Sequence, residues 1–418
     1  MITQFKNAQI VDPRQDDVAQ GDLWMADGVI CAPAAQADHV IDCAGLYLAP
    51  GIVDIGVKVG EPGERHKESF KTAGQAAARG GVTTLVTRPD GMAALDRPED
   101  IEFVIRRARE ACAVRVHPIA ALTKGRDGTE MAELGFLQDA GAVAFSDGDH
   151  VLRDTKVMAR ALSYAKSMGA LTIGHPQEPY LSKGASVTSG KFATLKGLPA
   201  VSAMAERMGL DRDIAMIEMT GAAYHFDQIT TARALPALER AKANGLDVSA
   251  GTSIHHVTLN ELDVANYRTF FKVKPPLRSE DDRMATVEAL RTGVIDILCS
   301  MHTPQDEESK RLPFEEAASG AVGLETFLPA ALRLYHSGDI TLTVLFRAMT
   351  LTPADRLGLP VGRLDIGAPA DITLFDPNTS YRLDRSKLAS KSKNTPFDGQ
   401  ILQGKVVATY VEGANIRQ

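Results

Sequence analysis

The chain alternates between two hydrophobic periods. Short apolar runs that read as strands are each followed by a segment with helical spacing. GIVDIGVKV leads into KESFKTAGQAAARGG, GVTTLVTRPDG into RPEDIEFVIRRAREAC, VRVHPIAAL into TEMAELGFLQDAG, and AVAFSDGD into TKVMARALSYAKSMG. The pattern continues through ALTIGHP, AAYHFDQIT, LDVSAGTSIHH and VIDILCSMHTP, and closes on the helical segments GLETFLPAALRLYHSG and TLTVLFRAMTLTPADRLG. Apolar strands alternating with amphipathic helices predict a parallel sheet with helices packed outside it. Eight such units predict an α/β fold, a (β/α)8 TIM barrel over 51–357, with a doubly wound open sheet as the alternative. The two ends read differently. NAQIVDP, DLWMADGVICAP and HVIDCAGLYLAPG, then GRLDIGAPADITLFDP and ILQGKVVATYVEG, are strand runs punctuated by Asp, Gly and Pro. They predict that 1–50 and 358–418 meet in one small β-sandwich domain.

Composition narrows the class. With 418 residues the chain buries a large core without staples. Its net charge of −7 argues against nucleic-acid and anionic-membrane partners. Cys31, Cys43, Cys112 and Cys299 form no C-x-x-C pair, which fits a reducing compartment. MITQFKNAQIVD has no basic leader before an apolar core, and no apolar run reaches the ~18 residues of a spanning helix. The expectation is a soluble, cytoplasmic protein.

A barrel of this kind carries its chemistry at the C-terminal ends of its strands. In chain order those ends hold Gly56, Lys58 and Gly60; Arg88 and Asp90; His117; Asp147 and Asp149; His175; His225, Asp227 and Gln228; His255 and His256; and Met301, His302 and Gln305. Several imidazoles near carboxylates suggest zinc. Taken singly, each histidine is better explained as a structural residue bonded to backbone. His255 and His256 are neighbours, so at most one points inward, and no H-x-H pair exists anywhere.

The motifs LAPGIVDIGVKVGEPGERHKES, GGVTTLVTRPD, FKVKPPLRS, AVGLET and SKNTPF resemble, in order, those of the type I dihydroorotase family, and GAPADITLFD resembles the framing sequence of the wider amidohydrolase superfamily. The resemblance implies a zinc-dependent cyclic-amide hydrolase fold. It also implies specific losses. The two strand 1 histidines that hold zinc fall at Gly56 and Lys58, and the arginine that grips substrate falls at Gly60. The asparagine after strand 2 falls at Asp90, the strand 6 histidine at Gln228, and the asparagine before P-P-L-R at Lys274. The proton-shuttling aspartate falls at Met301, followed by His302, and a substrate-contacting histidine falls at Gln305. Only His175 and Asp147 stand where ligands are expected, and a catalytic zinc usually takes three protein ligands.

These positions lead to the expectation of a lost zinc site, no cofactor, and a catalytically inactive homologue. Such a pseudoenzyme would serve as a structural or regulatory partner of aspartate carbamoyltransferase in pyrimidine biosynthesis, with a homo-oligomer as a further assembly. The alternative is a dihydroorotase or other cyclic-amide hydrolase with an atypical or metal-free site. An atypical metal site would draw on His175, His225, His256 and Asp147. A metal-free site would draw on Asp90, His175, His302, Lys58 and Lys274. In the vacated pocket Lys58 is expected either to pair with Asp147 or to reach solvent.

Overall fold

The computed structural model describes residues 1–417. Both ends of the chain contribute to one sheet. It contains β1 (Ile2–Ile10), β2 (Ala19–Ala26), β3 (Val29–Cys31), β4 (His39–Asp42) and β5 (Tyr47–Pro50) from the start. After the α/β segment come β16 (Ile372–Arg382), β17 (Ile401–Val411) and β18 (Ala414–Asn415). The join is the antiparallel β5–β16 pair, in register from Ile372 opposite Pro50 to Phe375 opposite Tyr47. The sheet branches at β1, which pairs with β2 on one side and with β4 and then β5 on the other. Phe5, Leu23, Ile30, Leu48, Ile372 and Tyr410 form its core, with Phe5 and Tyr410 in edge-to-face contact at 5.1 Å.

Between the ends run the parallel strands β6 (Ile52–Val57), β7 (Val82–Thr87), β8 (Arg115–Pro118), β9 (Phe145–Ser146) and β10 (Thr172–Gly174). After a short parallel pair outside this series, β11 (Val187–Thr188) with β12 (Ala200–Val201), come β13 (Tyr224–Phe226), β14 (Val248–Ser253) and β15 (Ile297–Cys299). β6, β7 and β8 pair in order, and β9, β10, β13, β14 and β15 pair in order. The gap between the two sets is bridged by Ala120 and Phe145. The last strand returns to the first where the Lys58 N–H donates to the His302 carbonyl at 2.8 Å. The eight strands therefore follow one another in a ring. Val53, Ile55, Val86, Ile173, Ile297 and Cys299 come from strands far apart in that order yet share one core cluster, which puts them inside the ring. All six residues of β6 and of β7 are buried, as strands covered on both faces must be. Among the described residues no helix is long and apolar enough to cross a membrane.

Helix starts follow local chemistry. The helix Phe70–Gly80 opens on a capping box in which Ser69 and Thr72 satisfy each other's backbone N–H, and it closes on Gly81 in the left-handed conformation.

Two buried carboxylates brace the loops above the ring. Glu206 accepts from the N–H and hydroxyl of both Thr230 and Thr231 and from the Arg278 guanidinium. Glu68 accepts from Ser390, Thr72 and the Lys391 N–H.

Three histidines at the strand ends prove structural. His225 shares a hydrogen bond with Ser249 at 2.8 Å. His256 bridges Ser253 and the Pro275 carbonyl. His255 stacks on Phe397 with 6.0 Å between ring centres. Burial is the main cause that lowers all three from 6.5 to about 3. Each stays neutral when folded but gains a proton below its ordinary value when unfolded. Stability is therefore complete above pH 6.5 and is lost as pH falls toward 3. Urea unfolding at about pH 5.5 rather than 7.5 should show a loss of ~1 kcal/mol per histidine. A His225→Asn variant should show a shallower dependence, and a flat profile in the parent protein would refute the assignment.

Candidate active site

The ring's C-terminal end opens into a cavity of ≈ 640 Å³, whose wall includes Asp149, His175, Lys274, Arg126 and Arg153. Of the strand-end residues, Asp149 and His175 reach its wall. His175 follows β10, and Lys274 reaches across to Asp149 at 2.9 Å. Asp90 follows β7 and sits deeper, beside the buried Arg88.

Arg88 is the centre of the polar cluster. Its Nη1 donates to Asp227 at 2.7 Å, and its Nε and Nη2 donate to the two Asp90 oxygens at 3.2 and 3.3 Å. Burial disfavours its charge, but Asp227 and Asp90 outweigh that and hold Arg88 well above its ordinary value. Burial pushes Asp90 up, yet Arg88 and Lys58 bring it below the usual carboxylate range. Asp149 is lowered despite its burial, chiefly by Lys274. Asp227 goes the other way, raised by burial in spite of Arg88.

His175 lies 3.9 Å from Asp227 through Nδ1, and neither ring nitrogen has a hydrogen-bond partner. Burial and then Lys274 lower it to about 3, so it is neutral at ordinary pH.

Several expected positions are corrected. Lys58 does not pair with Asp147, and among the described residues it forms no ion pair within 4 Å. Asp147 instead accepts from the N–H groups of Leu122 and Thr123 and from the Thr123 hydroxyl at 2.6 Å, and burial raises its carboxyl in spite of them. His302 faces away from the cavity. Its Nδ1 lies 3.2 Å from the Gly323 N–H, its Nε2 lies 3.5 Å from Glu68, and it is fully buried. Gln305 turns to the Ser319 carbonyl, and Gln228 to the Lys274 carbonyl. The atypical cluster of His175, His225, His256 and Asp147 does not converge, because His225, His256 and Asp147 are each spent on local hydrogen bonds.

The glycines are steric. A Cβ on Gly60 would lie 2.2 Å from the Glu64 carbonyl oxygen. A Cβ on Gly56 would lie 2.6 Å from the Met301 sulfur, which also sits 3.8 Å from Arg88 Nη1. Met301 holds φ at +47°, a conformation that suits glycine better than methionine. Arg88, Asp149 and Asp227 stood among the strand ends in the sequence but had no role there. An arginine at the buried end of a strand was the one available signal.

A family profile described as dihydro-orotase-like matches residues 45–234. A dihydroorotase of Syntrophus aciditrophicus is 38% identical over 420 residues, covering 99% of each chain. The chain belongs to the dihydroorotase-like family. A dihydroorotase of Pelotomaculum thermopropionicum is 38% identical over 99% of this chain and 98% of its own. A dihydroorotase-like protein of Pseudomonas aeruginosa is 36% identical over 99% of both. In fold, this dihydroorotase-like chain is similar to the L-hydantoinase of Arthrobacter aurescens. The two share a TM-score of 0.90 at 22% identity, covering 100% of this chain and 96% of the other.

These relatives overturn the expectation of an inactive pseudoenzyme. Proteins matched from end to end at 38% identity are named dihydroorotases, which favours the enzymatic alternative. The zinc that the family resemblance implies does not fit the donors of this dihydroorotase-like chain. Gly56 offers no ligand atom, Lys58 offers a cation, and a guanidinium stands between Asp90 and Asp227. Among the described residues no three His, Cys, Asp or Glu side chains are grouped to hold a metal.

The Gly56–Met301 contact is testable. Gly56→Ala should cost ~1–3 kcal/mol by overpacking. Adding Met301→Gly should recover about 1 kcal/mol of that loss as non-additivity in urea unfolding. Strict additivity would show that the two positions do not press on each other.

Proposed function

We propose that the protein hydrolyses a cyclic amide of the dihydroorotase class in a metal-free site on a (β/α)8 barrel of the hydrolase type. The observation that carries this reading is the polar cluster facing the cavity: neutral His175 beside Asp227, and Lys274 beside Asp149. Full-length similarity to dihydroorotases supports the reaction class.

Hydrolysis needs a base for water, a cation for the carbonyl oxygen as it becomes negative, and a proton for the departing nitrogen. His175 has both nitrogens free, so in either tautomer one accepts a proton and the other donates one. Asp227 lies where it steadies the imidazolium formed when His175 takes a proton from water. The same proton then passes to the ring nitrogen that leaves. Lys274 is half exposed at the cavity wall and supplies an N–H⁺ donor for the developing oxyanion. With its basicity held at about 3, His175 is a weak base, which predicts slow turnover at neutral pH.

The test is hydrolysis and ring closure measured on dihydroorotate, hydantoin and dihydrouracil, with and without a chelator. Turnover of at least one cyclic amide should persist in the chelator. His175→Ala should lower kcat by about 100-fold or more. Lys274→Met should weaken kcat/KM by about 10-fold or more. No turnover of any cyclic amide, with chelator or with added zinc, would sink the proposal.

A further inference from the structure

The polar cluster beside the cavity consists of Asp90, Asp227 and Asp149 against Arg88 and Lys274. Lys274 serves Asp149 at the cavity wall, where the two side chains are 45% and 35% exposed. Arg88 serves the other two, and there the side chains of Arg88, Asp90 and Asp227 are only 6%, 7% and 8% exposed. His175 completes the group. Its side chain is 1% exposed, Nδ1 points at the same Asp227 oxygen that Arg88 holds, and both ring nitrogens lack partners. A buried imidazole with unused nitrogens is rare, because each unmet polar atom carries a desolvation cost. Set beside two carboxylates, it is the donor that a divalent cation takes. A guanidinium fills the place where such an ion would lie.

We propose that Arg88 is the pocket's built-in cation and that it blocks a latent divalent-metal site formed by Asp90, Asp227 and His175. The mixed oxygen and imidazole donors suit a borderline ion such as zinc or cobalt(II). With the guanidinium removed, two buried carboxylates lose their compensating charge, and a divalent ion restores it. The room left by the side chain lets the carboxylates draw in to the ~2 Å that zinc–oxygen bonds require. The inference concerns the same pocket as the proposed hydrolysis. Its readout is metal affinity rather than turnover, so each can fail while the other stands.

The experiment is a cobalt(II) titration followed by visible absorption, with metal analysis after desalting, on the parent protein, Arg88→Ala, Arg88→Lys and Arg88→Ala/His175→Ala. Arg88→Ala should take up a single equivalent, bind at least about 100-fold more tightly than the parent, and develop cobalt d–d bands. Arg88→Lys, which keeps a cation in place, should stay as metal-poor as the parent. The double variant should lose the bands or shift them. Arg88→Ala that is soluble only with added metal would also support the proposal. A folded Arg88→Ala that binds no better than the parent would overturn it. So would an equivalent of metal retained by the parent, or loss of fold in both Arg88→Ala and Arg88→Ser whatever metal is added.

Discussion

The arrangement at the top of the ring depends on one buried charge balance. Arg88 carries a full positive charge at 6% side-chain exposure, and Asp90 and Asp227 neutralise it through three hydrogen bonds. Desolvating such groups costs several kcal/mol per ion unless the geometry returns it. Here the fork of the guanidinium meets Asp90 with two donors and Asp227 with a third, the geometry that makes arginine suited to buried pairs. Neighbouring contacts follow from it. Met301 packs its sulfur against Nη1, Gly56 makes room for that sulfur, and His175 stays neutral beside an oxygen already held by arginine.

A second set of buried carboxylates fixes the frame around this centre. Glu68 ties the segment after β6 to residues 390 and 391, and so links the ring to the C-terminal part of the chain. His302, with Nε2 facing Glu68 and Nδ1 accepting backbone N–H groups, joins the end of β15 to the same brace. Glu206 plays the equivalent part between β13 and the Arg278 segment. Charged groups at full burial here serve position rather than chemistry. That explains why a histidine at a strand end was a poor guide to the cavity.

Much of the architecture was legible in the sequence. Strand runs and helical spacing alternate because strands such as β6 and β7 are buried on both faces while the helices between them bury one, so the eight parallel strands could be read in order. Pairing between the chain's ends could only be suggested, since the β5–β16 contact joins residues more than 300 positions apart. The site was harder. Periodicity says which face of a strand a residue occupies, but not how far a long side chain reaches. Arg88 and Lys58 both follow strands, yet Arg88 turns inward to two aspartates while Lys58 forms no ion pair among the described residues. Asp147 looked available because two of its three donors are backbone N–H groups, which leave no mark on a sequence pattern. Counting missing zinc ligands led to the expectation of an inactive chain, a step that took the metal to be the sole route to the reaction. End-to-end similarity to dihydroorotases weighs against that step.

The packing of Met301 bears on how this pocket can change over generations. A side chain at position 56 collides with the Met301 sulfur, and any change at 301 exposes the flank of Arg88. A histidine introduced at 56 alone would have no space, and an acidic residue introduced at 301 alone would bring a fourth carboxylate to a cluster that already sets three against Arg88 and Lys274. Single changes at 56 or 301 are therefore uphill, and only paired replacement of Gly56 and Met301 avoids the steric penalty. The contact works as a ratchet: it makes the present pocket easy to retain and other pairs of side chains at 56 and 301 hard to reach one substitution at a time.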